Sequence, residues 1–346
     1  MAKQESWEIF TGKVKKPTNR LVEMNPPPPP WRRSASAREL VSPKYANKLE
    51  EKRFLEAEMS RAAPFRASEE MVRAVNTALY LRRPLLLTGK PGTGKSTLIS
   101  KVAWELKLGP VLRWPITSRS TVRAGVYEYD AVARLQAGKG DVLPAVEDYL
   151  TLGPLGTALA ATTWPRALLI DEIDKSDLDF ANDLLNVIEE GNYEIPELYR
   201  LRGDGVRMVP DAFKTLVPVE KGMLQCGQFP FVVMTSNAER EFPAPFLRRC
   251  VRLSIEPPSA LELAEIVKAH LDKHFQNWDS TQVQKVIDAF DEKRKANEEV
   301  ATDQLLSAVF LTIGMKDGRE KKLDMPEYET LRAEIMAPLT NSPVKS

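Results

Sequence analysis

One eight-residue stretch constrains this chain more than any other: Gly89-Lys90-Pro91-Gly92-Thr93-Gly94-Lys95-Ser96. It fits G-x-x-x-x-G-K-[ST] without deviation, and its surroundings are those the pattern requires. Pro84-Leu85-Leu86-Leu87-Thr88 ahead of it reads as a strand, and the stretch from Thr97 to Leu106 reads as a helix. Glycines admit positive φ, so successive backbone N–H groups can turn toward one anion. The start of a helix adds its partial positive charge. Gly89 to Thr97 are therefore predicted to cradle the phosphates of a nucleotide. Lys95 would reach the β- and γ-phosphates, and the Ser96 hydroxyl would hold Mg²⁺. A chance match by a glycine-rich turn would not come with both flanking elements.

About 75 residues further on, the apolar run Ala167-Leu168-Leu169-Ile170 ends in Asp171-Glu172. A buried strand that delivers carboxylates at its C-terminal end places them where α/β sheets bind ligands. Asp171 is predicted to coordinate Mg²⁺ through water, and Glu172 to orient or deprotonate an attacking water. Another apolar run ends Met234-Thr235-Ser236-Asn237. The Asn237 amide there suits a hydrogen bond to a γ-phosphate or to the lytic water. The alternative for Asn237 is an Asx turn closing the strand.

The rest of the pattern agrees with an α/β core. Val111-Leu112-Arg113-Trp114, Phe231-Val232-Val233-Met234-Thr235 and Val251-Arg252-Leu253-Ser254-Ile255 join the two runs above. Several of the five are apolar on both faces, as buried parallel strands are. A three-layer αβα core around a five-stranded parallel sheet is expected over 64–256, followed by a small all-helical domain over 257–346. Helices are predicted there from Ala260 to Leu271, with Ser259 as N-cap, and over about 283–290, 303–313 and 326–337. Residues 1–63 form an irregular extension with a surface helix over roughly 46–62. Its five prolines, Pro26 to Pro30, force polyproline II. That segment is either a docking peptide for an aromatic groove or a strap across the protein's own surface. Trp31 directly after it favours the strap, with the indole as anchor.

Composition excludes more than it identifies. Lys and Arg total 49 against 48 Asp and Glu, so no global charge calls for nucleic acid or an anionic membrane. The two cysteines, Cys226 and Cys250, have no metal-ligand spacing and fit a reduced compartment. His270 and His274 stand at i and i+4, a spacing that suits a metal, but no third ligand accompanies them, so they read as one face of a helix. No signal-like apolar core and no run near ~18 apolar residues is present, so a cytoplasmic protein is expected.

The phosphate loop, Asp171-Glu172 and the strand-terminal Asn237 together resemble an AAA+ ATPase over roughly residues 64–340. Within that family, Arg83-Pro84-Leu85-Leu86-Leu87-Thr88-Gly89 is similar to the MoxR-like group of the helix-2-insert clade. So are Leu152-Gly153-Pro154-Leu155-Gly156-Thr157-Ala158-Leu159, Asp171-Glu172-Ile173-Asp174-Lys175 and Asp183-Leu184-Leu185-Asn186-Val187-Ile188-Glu189-Glu190. Tyr193 to Gly227 resembles the hairpin that group inserts before the sensor strand. The resemblance implies ATP and Mg²⁺ as ligands and a homo-oligomeric, hexameric ring. It also implies an arginine finger reaching a neighbour's nucleotide; Arg249 in Phe246-Leu247-Arg248-Arg249-Cys250 matches best, with Arg248 next. One departure stands out. The family's second-sensor arginine has no counterpart in Ala301-Thr302-Asp303-Gln304-Leu305-Leu306, which puts the hydrolysis rate in question. Arg119, Arg123, Tyr127 and Tyr129 follow the second strand, where related rings grip a polypeptide; the alternative is that the tyrosines pack under the insert. Similar sequences there occur in MoxR-like ATPases of bacterial conflict modules paired with a von Willebrand A-domain protein, which implies a protein client or such a partner and a defence role.

Three functions follow from these residues. The leading one is an ATP-driven ring that remodels or activates a partner protein. The second is a GTPase motor on nucleic acid, as in modification-dependent restriction; the balanced charge and the absence of a recognisable nucleic-acid module argue against it. The third is a scaffold in which nucleotide only sets assembly.

Overall fold

The computed structural model describes residues 7–32, 40–41, 56–63, 65–138, 142–161, 163–201, 205–274, 280–296, 300–314 and 325–338. The chain divides into two compact units, Met1–Thr88 with Lys95–Ser254, and Gly89–Gly94 with Ile255–Ser346.

Eleven strands are described, all in the larger unit: β1 (Leu85–Thr88), β2 (Leu112–Pro115), β3 (Tyr127–Tyr129), β4 (Leu150–Leu152), β5 (Ala167–Asp171), β6 (Asn192–Glu194), β7 (Val206–Pro210), β8 (Leu216–Glu220), β9 (Met223–Gln225), β10 (Phe231–Ser236) and β11 (Val251–Ser254). The five apolar runs of the sequence are β1, β2, β5, β10 and β11. They pair in parallel in the order β11-β1-β10-β5-β2. All six residues of β10 are buried, as are four of five in β5 and three of four in β1. These are the inner strands, covered on both faces, which is why they carry continuous apolar runs. The edge strands β2 and β11 alternate instead. β10 lies between β1 and β5, so three loops that are far apart in sequence leave the sheet side by side at its C-terminal edge. Two smaller sheets are added: the pair β3-β4, and β6-β9-β8-β7 built from the stretch resembling a pre-sensor hairpin.

The extension is a strap, but Trp31 does not anchor it. Its side chain is 74% exposed, whereas Arg32 is 6% exposed. Pro26 is buried, and its carbonyl accepts a hydrogen bond from Arg82 Nη2 at 3.0 Å. Ahead of the prolines, Ile9, Phe10 and Leu21 are buried apolar contacts. The Asn76 side chain, fully buried, accepts from the N–H of Ile9 and Phe10 and donates to the Phe10 carbonyl. Glu105, also fully buried, accepts from Thr11 N–H and Oγ1–H and from Gly12 N–H at 2.8–3.0 Å. The strap thus completes two polar side chains that would otherwise be costly inside. Glu105→Ala leaves three donors without their acceptor and is expected to destabilise the protein by about 2–3 kcal/mol. Limited trypsin digestion should then cut faster at the exposed Lys13 and Lys15. An unchanged cleavage rate would show that apolar contacts alone hold the strap. Of the helix expected over 46–62, residues 56–62 are helical and 46–55 lie outside the described residues.

The smaller unit contains helices Ala260–His274, Ser280–Lys295, Thr302–Gly314 and Met325–Ile335. Ser259 closes the first with a capping box: its hydroxyl accepts from Glu262 N–H, and Glu262 Oε2 accepts from Ser259 N–H at 2.7 Å. Leu263, Val267, Val283, Ile287, Phe290, Leu305 and Val309 form its core. His270 and His274 fall in the first helix, and their side chains lie outside the described residues. Among the described residues no helix is long and apolar enough to cross a membrane, and no three His, Cys, Asp or Glu side chains gather as a metal cluster. Cys226 and Cys250 are free and buried, and burial pushes both thiol pKa values up to about 12.

Candidate nucleotide site

The loop after β1 has the backbone its glycines permit. Gly89, Gly92 and Gly94 take φ of 151°, 75° and 86°. A Cβ on Gly89 would stand 2.4 Å from the Ile255 carbonyl oxygen, and one on Gly92 would stand 2.8 Å from the Thr302 nitrogen. Neither position admits another residue without backbone movement. Thr93 Oγ1 closes the turn by donating to the Lys90 carbonyl at 3.0 Å. Helix Lys95–Glu105 starts directly after the loop.

Four side chains named from sequence meet at the C-terminal edge of the sheet. Lys95 Nζ donates to Asn237 Oδ1 at 2.9 Å, so the ammonium after β1 and the amide after β10 are in contact. Ser96 Oγ donates to Asp171 Oδ1 at 3.0 Å. Lys95 is buried, and burial lowers its pKa, with Asp174, Asp171 and Glu172 acting in the opposite direction. Glu172 adopts φ of 60° at the turn out of β5. Its carboxylate pairs with Lys175, whose pKa is raised by that hydrogen bond.

Two further residues organise this edge. Thr235 Oγ1 donates to Asp171 Oδ1 and accepts from Glu172 N–H at 3.0 Å. It fixes the Asp171 carboxylate and the start of the Glu172 turn together. Asp174 is buried, and its Oδ2 accepts from the N–H groups of Asn237 and Glu239 at 3.0 and 3.2 Å. It therefore holds the loop that carries Asn237. The sequence offered one signal for Asp174 and Lys175: each lies three residues after an acidic residue of the strand end, within reach across one turn. Thr235 gave none, because only the pairing of β10 with β5 brings it to Asp171.

The predicted arginines lie elsewhere in the larger unit. Arg248 is exposed. Arg249 Nε is 3.2 Å from Glu189 Oε2, and its side chain is 29% exposed. Of the predicted gripping residues, Arg119 is exposed, but Tyr127 is buried and donates to Glu197 Oε2 at 2.6 Å. Arg123 donates to the other oxygen of that carboxylate, also at 2.6 Å. Tyr129 is half-buried, with its hydroxyl accepting from Arg134 Nη1 at 3.1 Å. The tyrosines pack into the insert. In the stretch without a second-sensor arginine, Gln304 caps its own helix through Ala301 N–H and donates to the carbonyls of Ile335 and Ala337.

A parallel sheet whose C-terminal edge brings together a lysine that directly follows a glycine loop in sequence and an Asp-Glu pair defines a P-loop nucleotide-binding domain. Within that class, residues 84–249 match the family described as AAA domain (dynein-related subfamily). AAA domains in general bind and hydrolyse ATP. No curated protein matches at a significant level. Among solved structures, a closed-state reconstruction of Hsp104 with ATPγS and FITC casein aligns at 16% identity and a TM-score of 0.36, covering 70% of this chain and 44% of that one. Domain III of the Thermotoga maritima replication initiation protein DnaA aligns at 15% identity and a TM-score of 0.43, covering 85% and 100%. At those scores neither bears on activity.

Proposed function

We propose that the protein binds ATP–Mg²⁺ and hydrolyses it in a ring of its own copies, using the cycle to remodel or activate a partner protein. One observation carries this reading: Lys95 with Asn237, and Ser96 with Asp171, meet at 2.9 and 3.0 Å beside Glu172. In this reading the N–H groups of Gly92 to Lys95 take the β- and γ-phosphates, and the Lys95 ammonium balances their charge. Ser96 Oγ, and Asp171 through water, would hold Mg²⁺. Two protein donors suit this ion, which keeps phosphate and water ligands, and the two groups already lie at hydrogen-bond distance. Bound there, the ion neutralises charge on the phosphates. Glu172 orients the attacking water and takes its proton, and Asn237 steadies the γ-phosphate.

Two features support assembly with other chains. Arg249 sits away from the residues that meet at the sheet edge, as a group serving a neighbour's site does. The outer face of β7 and β8 exposes Val206, Met208 and Leu216 at 45–58%, a surface suited to a contact. The resemblance to MoxR-like ATPases of conflict modules supports a hexamer, a von Willebrand A-domain protein as partner and a cytoplasmic defence role.

Turnover measured over a protein concentration series with ATP and GTP tests the reading. Rate per subunit should rise with concentration and favour ATP. A flat profile rules out a site shared between subunits. Preference for GTP, with stimulation by DNA, would point to a nucleic-acid motor, and tight binding without turnover to a scaffold.

A further inference from the structure

Glu189 lies in the last turn of helix Leu178–Glu190, where a carboxylate meets the negative end of the helix and no basic residue accompanies it. Two arginines from distant parts of the chain face it instead. Arg32 Nη2 donates to Glu189 Oε1 at 2.7 Å across 157 residues of sequence. Arg249 Nε lies 3.2 Å from the other oxygen, Oε2. The three side chains form a graded series: Arg32 is 6% exposed, Glu189 24% and Arg249 29%. Arg32 is thus the buried end of the chain of contacts, and Arg249 its more open end. Arg83 adds a third positive charge near Arg32, and its Nη1 donates to the Arg248 carbonyl at 3.2 Å, which ties down the backbone beside Arg249.

The buried end is set by the prolines. A polyproline segment loses little entropy on docking because each φ is already fixed. The expected polyproline II does not extend over all five prolines, because Pro30, the last of the run, forms a single 3₁₀ turn with Trp31 and Arg32. That turn sends the indole outward and the guanidinium inward, a choice that apolarity alone would reverse. Burial lowers the Arg32 pKa, and Glu189 is the main group acting against that shift. A carboxylate already fixed on one oxygen by a buried arginine is a rigid acceptor on the other. An arginine held through Nε keeps both Nη groups for an anion, in the planar fork that matches phosphate oxygens.

We propose that Arg32, delivered by the proline run, is a positioning residue for hydrolysis: it locks Glu189, and Glu189 holds Arg249 by Nε with its Nη edge left for the nucleotide of a neighbouring subunit. The proposal rests on the reading of Arg249 as an arginine acting on a neighbour. The N-terminal strap is in this view part of the trans half of the active site, and loss of its Arg32 contact alone would leave nucleotide binding intact while lowering turnover.

The test compares Arg32→Ala, Arg32→Lys and Glu189→Gln with the wild type in kcat, KM and the Kd of a fluorescent ATP analogue. Arg32→Ala is expected to lower kcat at least tenfold, with KM and Kd within twofold. Arg32→Lys should recover part of the loss, since an ammonium can still meet Glu189. Where Arg32→Ala does not fold, Glu189→Gln decides, because it keeps shape and removes only the charge; an unchanged kcat there overturns the proposal. Mixing then locates the defect. Lys95→Ala subunits lack a working phosphate loop but retain Arg249 and its supports. Added to Arg32→Ala subunits, they should restore turnover, because they supply a positioned Arg249 to intact loops. Arg249→Ala taken through the same mixing separates the two ideas. If Arg249→Ala is not restored, the reading of Arg249 itself fails. If it is restored and Arg32→Ala is not, Arg32 acts on its own subunit and the positioning role is wrong.

Discussion

Glu172→Gln is expected to lower kcat by a factor on the order of 10² to 10⁴ while nucleotide affinity stays within about twofold. The substitution removes the one property assigned to this side chain, its ability to take a proton, and keeps its size. The stability cost should be small. Among the described residues the ion pair lost is that with Lys175, where both side chains are more than 40% exposed, and such pairs are worth about 0–1 kcal/mol. The φ of 60° at this position is already borne by a non-glycine residue and does not change between Glu and Gln. Phosphate release and binding of a fluorescent ATP analogue, measured on one preparation, check both halves. A kcat within about threefold of wild type would move the role of base to another carboxylate of the same edge, Asp174 or Glu239.

The sheet was legible because its inner strands are covered on both faces. Leu85–Leu87, Ala167–Ile170 and Phe231–Thr235 had to be apolar throughout, and a continuous apolar run bounded by turns is a strong signal. The order of the strands was not legible. Nothing local to Met234-Thr235-Ser236-Asn237 says that it inserts between the other two; crossovers over dozens of residues decide that. Short strands such as β3, β4 and β6, three residues each, are too brief for any period to register.

The same division runs through the candidate site. The phosphate loop is one contiguous stretch whose residue types follow from backbone geometry, so it reads directly from the chain. Thr235 and Asp174 act through contacts made 63 to 65 residues away in sequence, and only the register of β10 against β5 creates them. The strap shows how local reasoning fails. Apolarity favoured Trp31 as the buried anchor, but Arg32 is buried because its partner is Glu189, a residue that no local pattern connects to it.

Arg249→Ala should lower kcat by roughly 10³-fold or more, leave KM nearly unchanged, and abolish the rise of turnover with protein concentration. The expected size follows from where an arginine acts in phosphoryl transfer: on charge that builds on the γ-phosphate as the bond breaks, hence on the transition state rather than on ground-state binding. Arg248→Ala should cost less than about tenfold, and the contrast between the two follows from their surroundings. Arg248 is exposed, with no side-chain hydrogen bond among the described residues, so it enters any contact at the cost of its rotamer freedom, about 2 kcal/mol for a long cationic side chain. Arg249 is already held at Nε by Glu189, so much of that entropy is lost before a nucleotide arrives. Pre-organisation therefore favours Arg249, even though Arg248 is the more accessible of the two. Steady-state kinetics of both variants, at protein concentrations spanning the assembly transition, decide between them. A larger loss in Arg248→Ala would mean that the Glu189 pair restrains Arg249 and that the free arginine does the work.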